Sequence, residues 1–163
     1  MKTAISITKL MILVIMSATI ALSACKKDAS PVSKTDLLTA SQWKMTAFTV
    51  DPGFPIFDAL GNITGYSTDM YSSMESCSKD DTFKFNSDNS VKFDEGASKC
   101  DSSDPQSTSG TWSLKTNETI LSLIDNGSAQ DYTIMELTAR ILKMKYTQTD
   151  GSVSYTFTIT LSH

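Results

Sequence analysis

The cleanest hydrophobic pattern in the chain comes last: Val153, Tyr155, Phe157, Ile159 and Leu161 alternate with Ser152, Ser154, Thr156, Thr158 and Thr160. Alternation at period 2 predicts a strand with one face on a core and the other in water. The same period recurs upstream. Leu142, Met144 and Tyr146 alternate with Lys143 and Lys145, and Leu121 and Leu123 alternate with Ile120, Ser122 and Ile124. Trp112 and Leu114 make a further inward pair after Gly110. Earlier, Trp43, Met45 and Ala47 alternate with Lys44 and Thr46, whereas Phe48 and Val50 fall on the opposite parity. That switch predicts a bulge in the first strand, or a strand that ends by crossing an edge.

Two shorter runs, Thr82–Asn86 and Val91–Asp94, flank Ser87-Asp88-Asn89-Ser90, whose residue types favour a turn. Pairing Phe85 with Val91 and Phe83 with Phe93 makes one hairpin and sets Cys77 opposite position 99, one residue from Cys100. A disulfide needs Cα atoms roughly 4.4–6.8 Å apart. A bulge or a diagonal contact therefore lets Cys77 and Cys100 staple the mouth of the hairpin. With further strands over 110–114, 119–124, 131–137, 140–147 and 152–161, the count reaches eight. Turns such as Asp125-Asn126-Gly127 and Asp150-Gly151 join them. The expected fold is all-β, an eight-stranded antiparallel up-and-down barrel, since closure removes the exposed edges of an open sheet. Its inward Trp, Phe, Tyr, Leu and Met side chains either fill the interior or line an apolar pocket. Periodicity does not choose between them.

Residues 51–76 break the pattern. Pro52, Gly53, Pro55, Gly61 and Gly65 predict a long irregular loop, with a helical turn or two over Thr68–Met74 capped by Thr68. Its apolar residues are too many for disorder. One reading is a lid, in which Phe54, Phe57, Tyr66, Met70, Tyr71 and Met74, with Trp43 and Trp112 of the barrel, contact a small hydrophobic or amphipathic ligand. The others are a plug that packs into one end of a filled barrel, and a surface for a protein partner.

The N-terminus changes the setting. Lys2 and Lys9 precede the apolar run Leu10–Leu22, which is too short to span a bilayer. Leu22-Ser23-Ala24-Cys25 resembles the bacterial lipoprotein box. Residues 1–24 are then a signal peptide, helical as such leaders are. Residues 25–36 are an acylated, flexible tether, and 37–163 the barrel domain. Acylation of Cys25 places the chain on a membrane through acyl chains. By analogy, Lys26 after the acylated cysteine directs it to the outer membrane of the cell envelope, on its periplasmic face or at the cell surface. Cys77 and Cys100 are left to pair in an oxidising compartment.

Charge and chemistry narrow the function by exclusion. Lys+Arg number 14 against 18 Asp+Glu, a net charge of −4, and removing Lys2 and Lys9 makes the remainder more acidic. That balance argues against nucleic acid as a partner. The single histidine is His163, the last residue, so no Ser-His-Asp or Cys-His set is at hand. No enzyme activity, cofactor or metal is expected. The acids at Asp80-Asp81, Asp94-Glu95 and Asp101…Asp104 are expected to be solvated turn acids rather than a calcium site.

Taken in order, several features resemble the lipocalin-like lipoproteins common in Bacteroidota. They are Cys25; Leu38 with Trp43-Lys44; Thr68-Asp69-Met70-Tyr71 before Cys77-Ser78-Lys79-Asp80-Asp81; Phe85; Cys100; Gly110-Thr111-Trp112; and Leu137-Thr138 leading to Leu142. The resemblance covers about 37–163 and implies an eight-stranded, lipocalin-like β-barrel. It implies no particular ligand. Two functions follow: a membrane-anchored module binding a ligand in the barrel under residues 51–76, or a non-enzymatic surface interaction or structural protein with a filled barrel.

Overall fold

The computed structural model describes residues 32–163. The expected leader over 1–24, the expected lipidation site Cys25 and the expected tether as far as Pro31 lie outside the described residues. Among the described residues, no helix is long and apolar enough to cross a membrane.

The first element among the described residues is a short helix, α1 (Lys34–Ala40). Ser33 caps it: its Oγ accepts the Asp36 N–H at 3.0 Å, and the Asp36 carboxylate accepts the Ser33 N–H at 3.3 Å. This reciprocal pair satisfies two of the amides that a helix N-terminus leaves unpaired. Lys34–Asp36, expected in the tether, therefore belong to the folded unit.

Nine strands follow, with two helical turns between the second and third. They are β1 (Trp43–Phe57), β2 (Ile63–Asp69), α2 (Met70–Ser73), α3 (Ser76–Lys79), β3 (Thr82–Phe85), β4 (Ser90–Asp94), β5 (Ser107–Lys115), β6 (Ile120–Asp125), β7 (Ser128–Leu137), β8 (Ile141–Asp150) and β9 (Val153–Ser162). The sheet order is β2-β1-β3-β4-β5-β6-β7-β8-β9, and β1 pairs again with β9. β1 and β3–β9 thus close into the eight-stranded antiparallel barrel expected from the pattern, and β2 stands outside the ring. On one edge β1 runs from Lys44 to Asp51 against Ser162 to Thr156 of β9. Its other edge is shared: Trp43 and Lys44 meet Phe83 and Thr82 of β3, and from Thr49 onward β2 takes over.

The segment 51–76 therefore differs from the irregular loop expected. β1 runs on through Pro52 and Pro55 to Phe57, and β2 returns beside it. Neither proline interrupts a barrel ladder, because β1 has passed its pairing with β9 by then. Proline is tolerated in such partly unpaired stretches. The helical turn is also capped one residue later than expected, by Asp69, whose Oδ1 accepts the Ser72 N–H at 3.0 Å.

Two local expectations hold. Phe83↔Phe93 and Phe85↔Val91 pair across β3 and β4. The ladder between β1 and β9 slips between Met45 and Ala47, which turns Phe48 and Val50 to the face already occupied by Trp43 and Met45. Alternation resumes after the extra residue on the opposite parity.

The two ends of the barrel are built differently. The β3–β4, β5–β6 and β7–β8 turns share one end with α1. There the Trp43 indole N–H donates to the Leu38 carbonyl at 2.9 Å, Lys34 Nζ reaches the Glu118 carbonyl at 2.6 Å, and Lys84 Nζ reaches the Thr39 carbonyl at 2.7 Å. Leu38 inserts into a core of Trp43, Phe85, Val91, Trp112, Leu121, Leu142, Met144 and Leu161. Phe85 and Trp112 meet edge to face with ring centroids 5.8 Å apart, a favoured aromatic geometry. This end is closed.

Candidate functional site

Along each barrel strand the inward row continues past the core toward the opposite end. In β6 the row Leu121, Leu123, Asp125 faces Tyr132, Gln130 and Ser128 of β7. The turn between them, Asn126-Gly127, has φ of 47° and 79°. Two successive left-handed residues give the tight hairpin turn that Asn-Gly favours and that fixes this register.

Beyond the core these rows enclose a cavity of about 400 Å³, within the range of roughly 300–1,000 Å³ typical of ligand pockets. Its floor is Phe85, Met144 and Leu161, which also belong to the core below. Met45, Phe83, Phe93, Leu123 and Ile159 form apolar walls. Asp125, Ser128, Gln130 and Tyr132 put the polar groups on one side of the lining. Burial, with Tyr146 beside it, pushes the Tyr132 phenol above its ordinary pKa. At neutral pH that side chain is a neutral donor and acceptor. Asp125 is the one carboxylate in the lining, and its Oδ1 is shielded from solvent with no hydrogen-bond partner among the described residues.

Gly110 in β5 shapes the adjoining wall. A Cβ there would overlap the Ile124 carbonyl oxygen and crowd the Phe93 ring. Only a residue without a side chain lets β5 and β6 approach this closely.

An aromatic series leads away from Tyr132. Tyr132 meets Tyr146 edge to face at 5.4 Å, Tyr146 stacks on Phe157 at 4.8 Å, and Phe157 stacks on Phe48 at 5.8 Å. Phe54 stacks on Tyr155 at 4.6 Å and tilts against Phe157 at 5.7 Å. Phe54, Tyr155 and Phe157, with Gln148, Thr149 and Asp150, line a second, shallower hollow of about 190 Å³.

The strand ends at this mouth are tied down on the β3–β4 side. Cys77 of α3 is bonded to Cys100, with Cα atoms 5.3 Å apart, inside the range a disulfide allows. The neighbouring Asp80 carboxylate accepts the N–H groups of Ala97 and Ser98 at 2.9 and 3.0 Å, and the Ser98 hydroxyl. Glu75 lies near the two cysteines. With both sulfurs in one covalent bond, that trio offers a metal a single carboxylate. Asp81 is different from its neighbours: burial first, then the charges of Glu95, Asp80 and Asp94, raise its pKa.

The residues singled out from sequence are distributed as follows. Trp43 and Trp112 sit in the closed-end core, below the cavity. Phe54 lines the shallow hollow, while Phe57 and Tyr66 stand exposed on the β1–β2 hairpin. Met70 and Tyr71 lie on α2 and Met74 ends it; the Tyr71 ring receives Lys79 Nζ 5.3 Å above its centroid. No residue of 51–76 lines the cavity, where the expected lid contacts of Phe54, Phe57, Tyr66, Met70, Tyr71 and Met74 would lie, and none enters the core as a plug would. Conversely, Ser128 and Gln130 carry no site signal in the sequence, and Asp125 reads there as part of a turn, although its parity with Leu121 and Leu123 marks it as inward.

The family model for the lipocalin-like domain matches residues 40–144. No curated protein matches the chain. β9 and most of β8, which complete the ring, lie beyond the matched residues.

Proposed function

Because the chain belongs to the lipocalin-like domain family, we propose that it is a non-enzymatic binding module whose open half-barrel takes a small hydrophobic or amphipathic ligand. The carrying observation is the division of the interior: a packed floor on α1 and an apolar-walled cavity of about 400 Å³ above it. A filled barrel would leave no such space. Apolar surface withdrawn from water by a ligand there contributes about 25 cal/mol per Å². Polar groups confined to one side favour a molecule with a distinct head and tail. The test is uptake of an apolar fluorescent dye by wild type and by Ile159→Trp, which places an indole in the cavity. Enhanced fluorescence with wild type and its loss in the variant support the reading; no uptake by wild type overturns it.

The proposed setting is a membrane surface, with Cys25 carrying the acyl anchor and the chain exported to the outer membrane. The Leu22-Ser23-Ala24-Cys25 box and the Cys77–Cys100 bond, which suits an oxidising compartment, support this. Cys25→Ala should release the protein from membranes, and retention would refute the anchor.

A second reading has its own observation. Ile56, Phe57, Leu60, Ile63 and Tyr66 are all exposed on or between β1 and β2, Leu60 at 86%. A protruding apolar tip of this kind suits a protein partner at the envelope surface.

A further inference from the structure

On the reading that the half-barrel binds a ligand, we infer that the ligand is an amine-headed amphiphile, its ammonium held by Asp125 and its apolar tail laid against Phe83, Phe93 and Ile159. Three observations carry this. The first is charge. Among the described residues, Asp125 is the one charged side chain in the cavity lining, and no lysine, arginine or histidine lines it. A carboxylate-headed lipid would meet only like charge, whereas an ammonium meets an opposite one. The second is hydrogen bonding. Asp125 Oδ1 is shielded and accepts nothing from the described residues. A carboxylate with one sheltered, unpartnered oxygen is under-satisfied, and a donor-rich head meeting its other oxygen relieves it. Gln130 reinforces the preference: its Nε2 already donates to the Asp131 carbonyl at 3.0 Å, leaving the amide oxygen as the group it offers.

The third observation is placement. Asp125 ends β6 at the cavity mouth, opposite Ser128 across the turn, while the lining toward the floor is apolar. A head at the mouth and a tail pointing toward Phe85 and Leu161 matches that gradient. The same end of the barrel adds acids at the strand ends, Asp81 before β3, Glu95 after β4 and Asp150 at the end of β8, while Asp94 is paired with Lys92 at 2.7 Å. These attract a cation from solution and repel an anion.

The experiment compares n-octylamine, n-octanol and n-octanoate, which share one tail, as competitors of the bound apolar dye. Octylamine should displace dye at a concentration on the order of tenfold below octanol, with octanoate weakest. Asp125→Asn keeps the shape and removes the charge, so octylamine and octanol should become equivalent while octanol itself is unchanged. A second variant, Asp125→Leu, should give the same convergence, and an unaltered far-UV spectrum shows that each variant is folded. Octanoate binding as well as octylamine, or a preference for octylamine that survives Asp125→Asn, overturns the inference while leaving the cavity reading intact. Failure of wild type to take up the dye at all overturns the cavity reading and this one with it.

Discussion

Leu38→Ala tests whether α1 closes the barrel. Leu38 is the one buried residue of α1, with no exposed surface. Truncation removes three carbons from a fully packed site, about 2.4 kcal/mol at ~0.8 kcal/mol per methylene. A cavity term adds to this where the surroundings cannot collapse, which brings measured Leu→Ala costs to about 2–5 kcal/mol. Collapse is restricted here. The helix is held at fixed height by Lys34 on the Glu118 carbonyl, Lys84 on the Thr39 carbonyl and the Trp43 indole on Leu38's own backbone oxygen, at 2.6, 2.7 and 2.9 Å. None of these bonds involves the truncated side chain, so the void stays open and the expected loss is about 3–4 kcal/mol. At about 4 °C per kcal/mol for a domain of this size, the melting temperature falls by roughly 12–16 °C. The assay is urea unfolding followed by tryptophan fluorescence. Trp43 and Trp112 are the two tryptophans of the chain and both lie in this core, so the signal reports the region perturbed. The midpoint should drop with an unchanged m-value. A loss below about 1 kcal/mol, the range of ordinary surface changes, would show that α1 merely lies on the barrel.

Other expectations are independent of that one. Replacing Cys77 and Cys100 with serine opens a loop with a sequence separation of 23 and should cost about 3 kcal/mol on the loop-entropy account. Denaturant curves of the double variant, with the dye assay alongside, check both the cost and whether the mouth still binds. Gly110→Ala should destabilise by about 1–3 kcal/mol, since the new methyl overlaps the Ile124 carbonyl in a closed sheet; a neutral melt would contradict the close approach. Asp81 supplies a pH signature. Its pKa is raised in the folded state by burial and then by Glu95, Asp80 and Asp94, so its charge opposes folding at neutral pH and that penalty vanishes as protonation sets in. Asp81→Asn should therefore stabilise the protein at pH 7, with the gain shrinking as pH falls through the raised pKa; a gain independent of pH would contradict the cause.

The fold was legible because closure of a β-barrel depends on quantities that a chain displays locally. Alternation marks which face of each strand is inward, and it did so for β6, β8 and β9 and for the parity switch after Met45. Opposed residue pairs gave the β3–β4 register, and the Cys77–Cys100 bond formed as expected, although from the helical turn α3 rather than from a continued hairpin ladder. The Asp51–Ser76 stretch forms strands despite its breakers because Pro52, Pro55 and three glycines interrupt a strand only where it must be paired on both edges. Here β1 and β2 pair with each other outside the ring, where gaps are tolerated.

What alternation cannot carry is height. It separates inside from outside, but not the closed end from the open one. Trp43, Phe85 and Leu123 are equally inward by parity, yet Trp43 lies in the core, Leu123 on the cavity wall and Phe85 at the boundary. Height depends on strand tilt, on stagger between neighbours and on which end α1 covers, all of which are settled only when the strands meet around the ring. For the same reason Asp125 looked like a turn residue and proved to be the charged group of the cavity. By itself the sequence determined the strands of the barrel ring, their faces and the disulfide; the tertiary structure decided where the interior stops being packed, because that depends on what each inward side chain finds across the barrel.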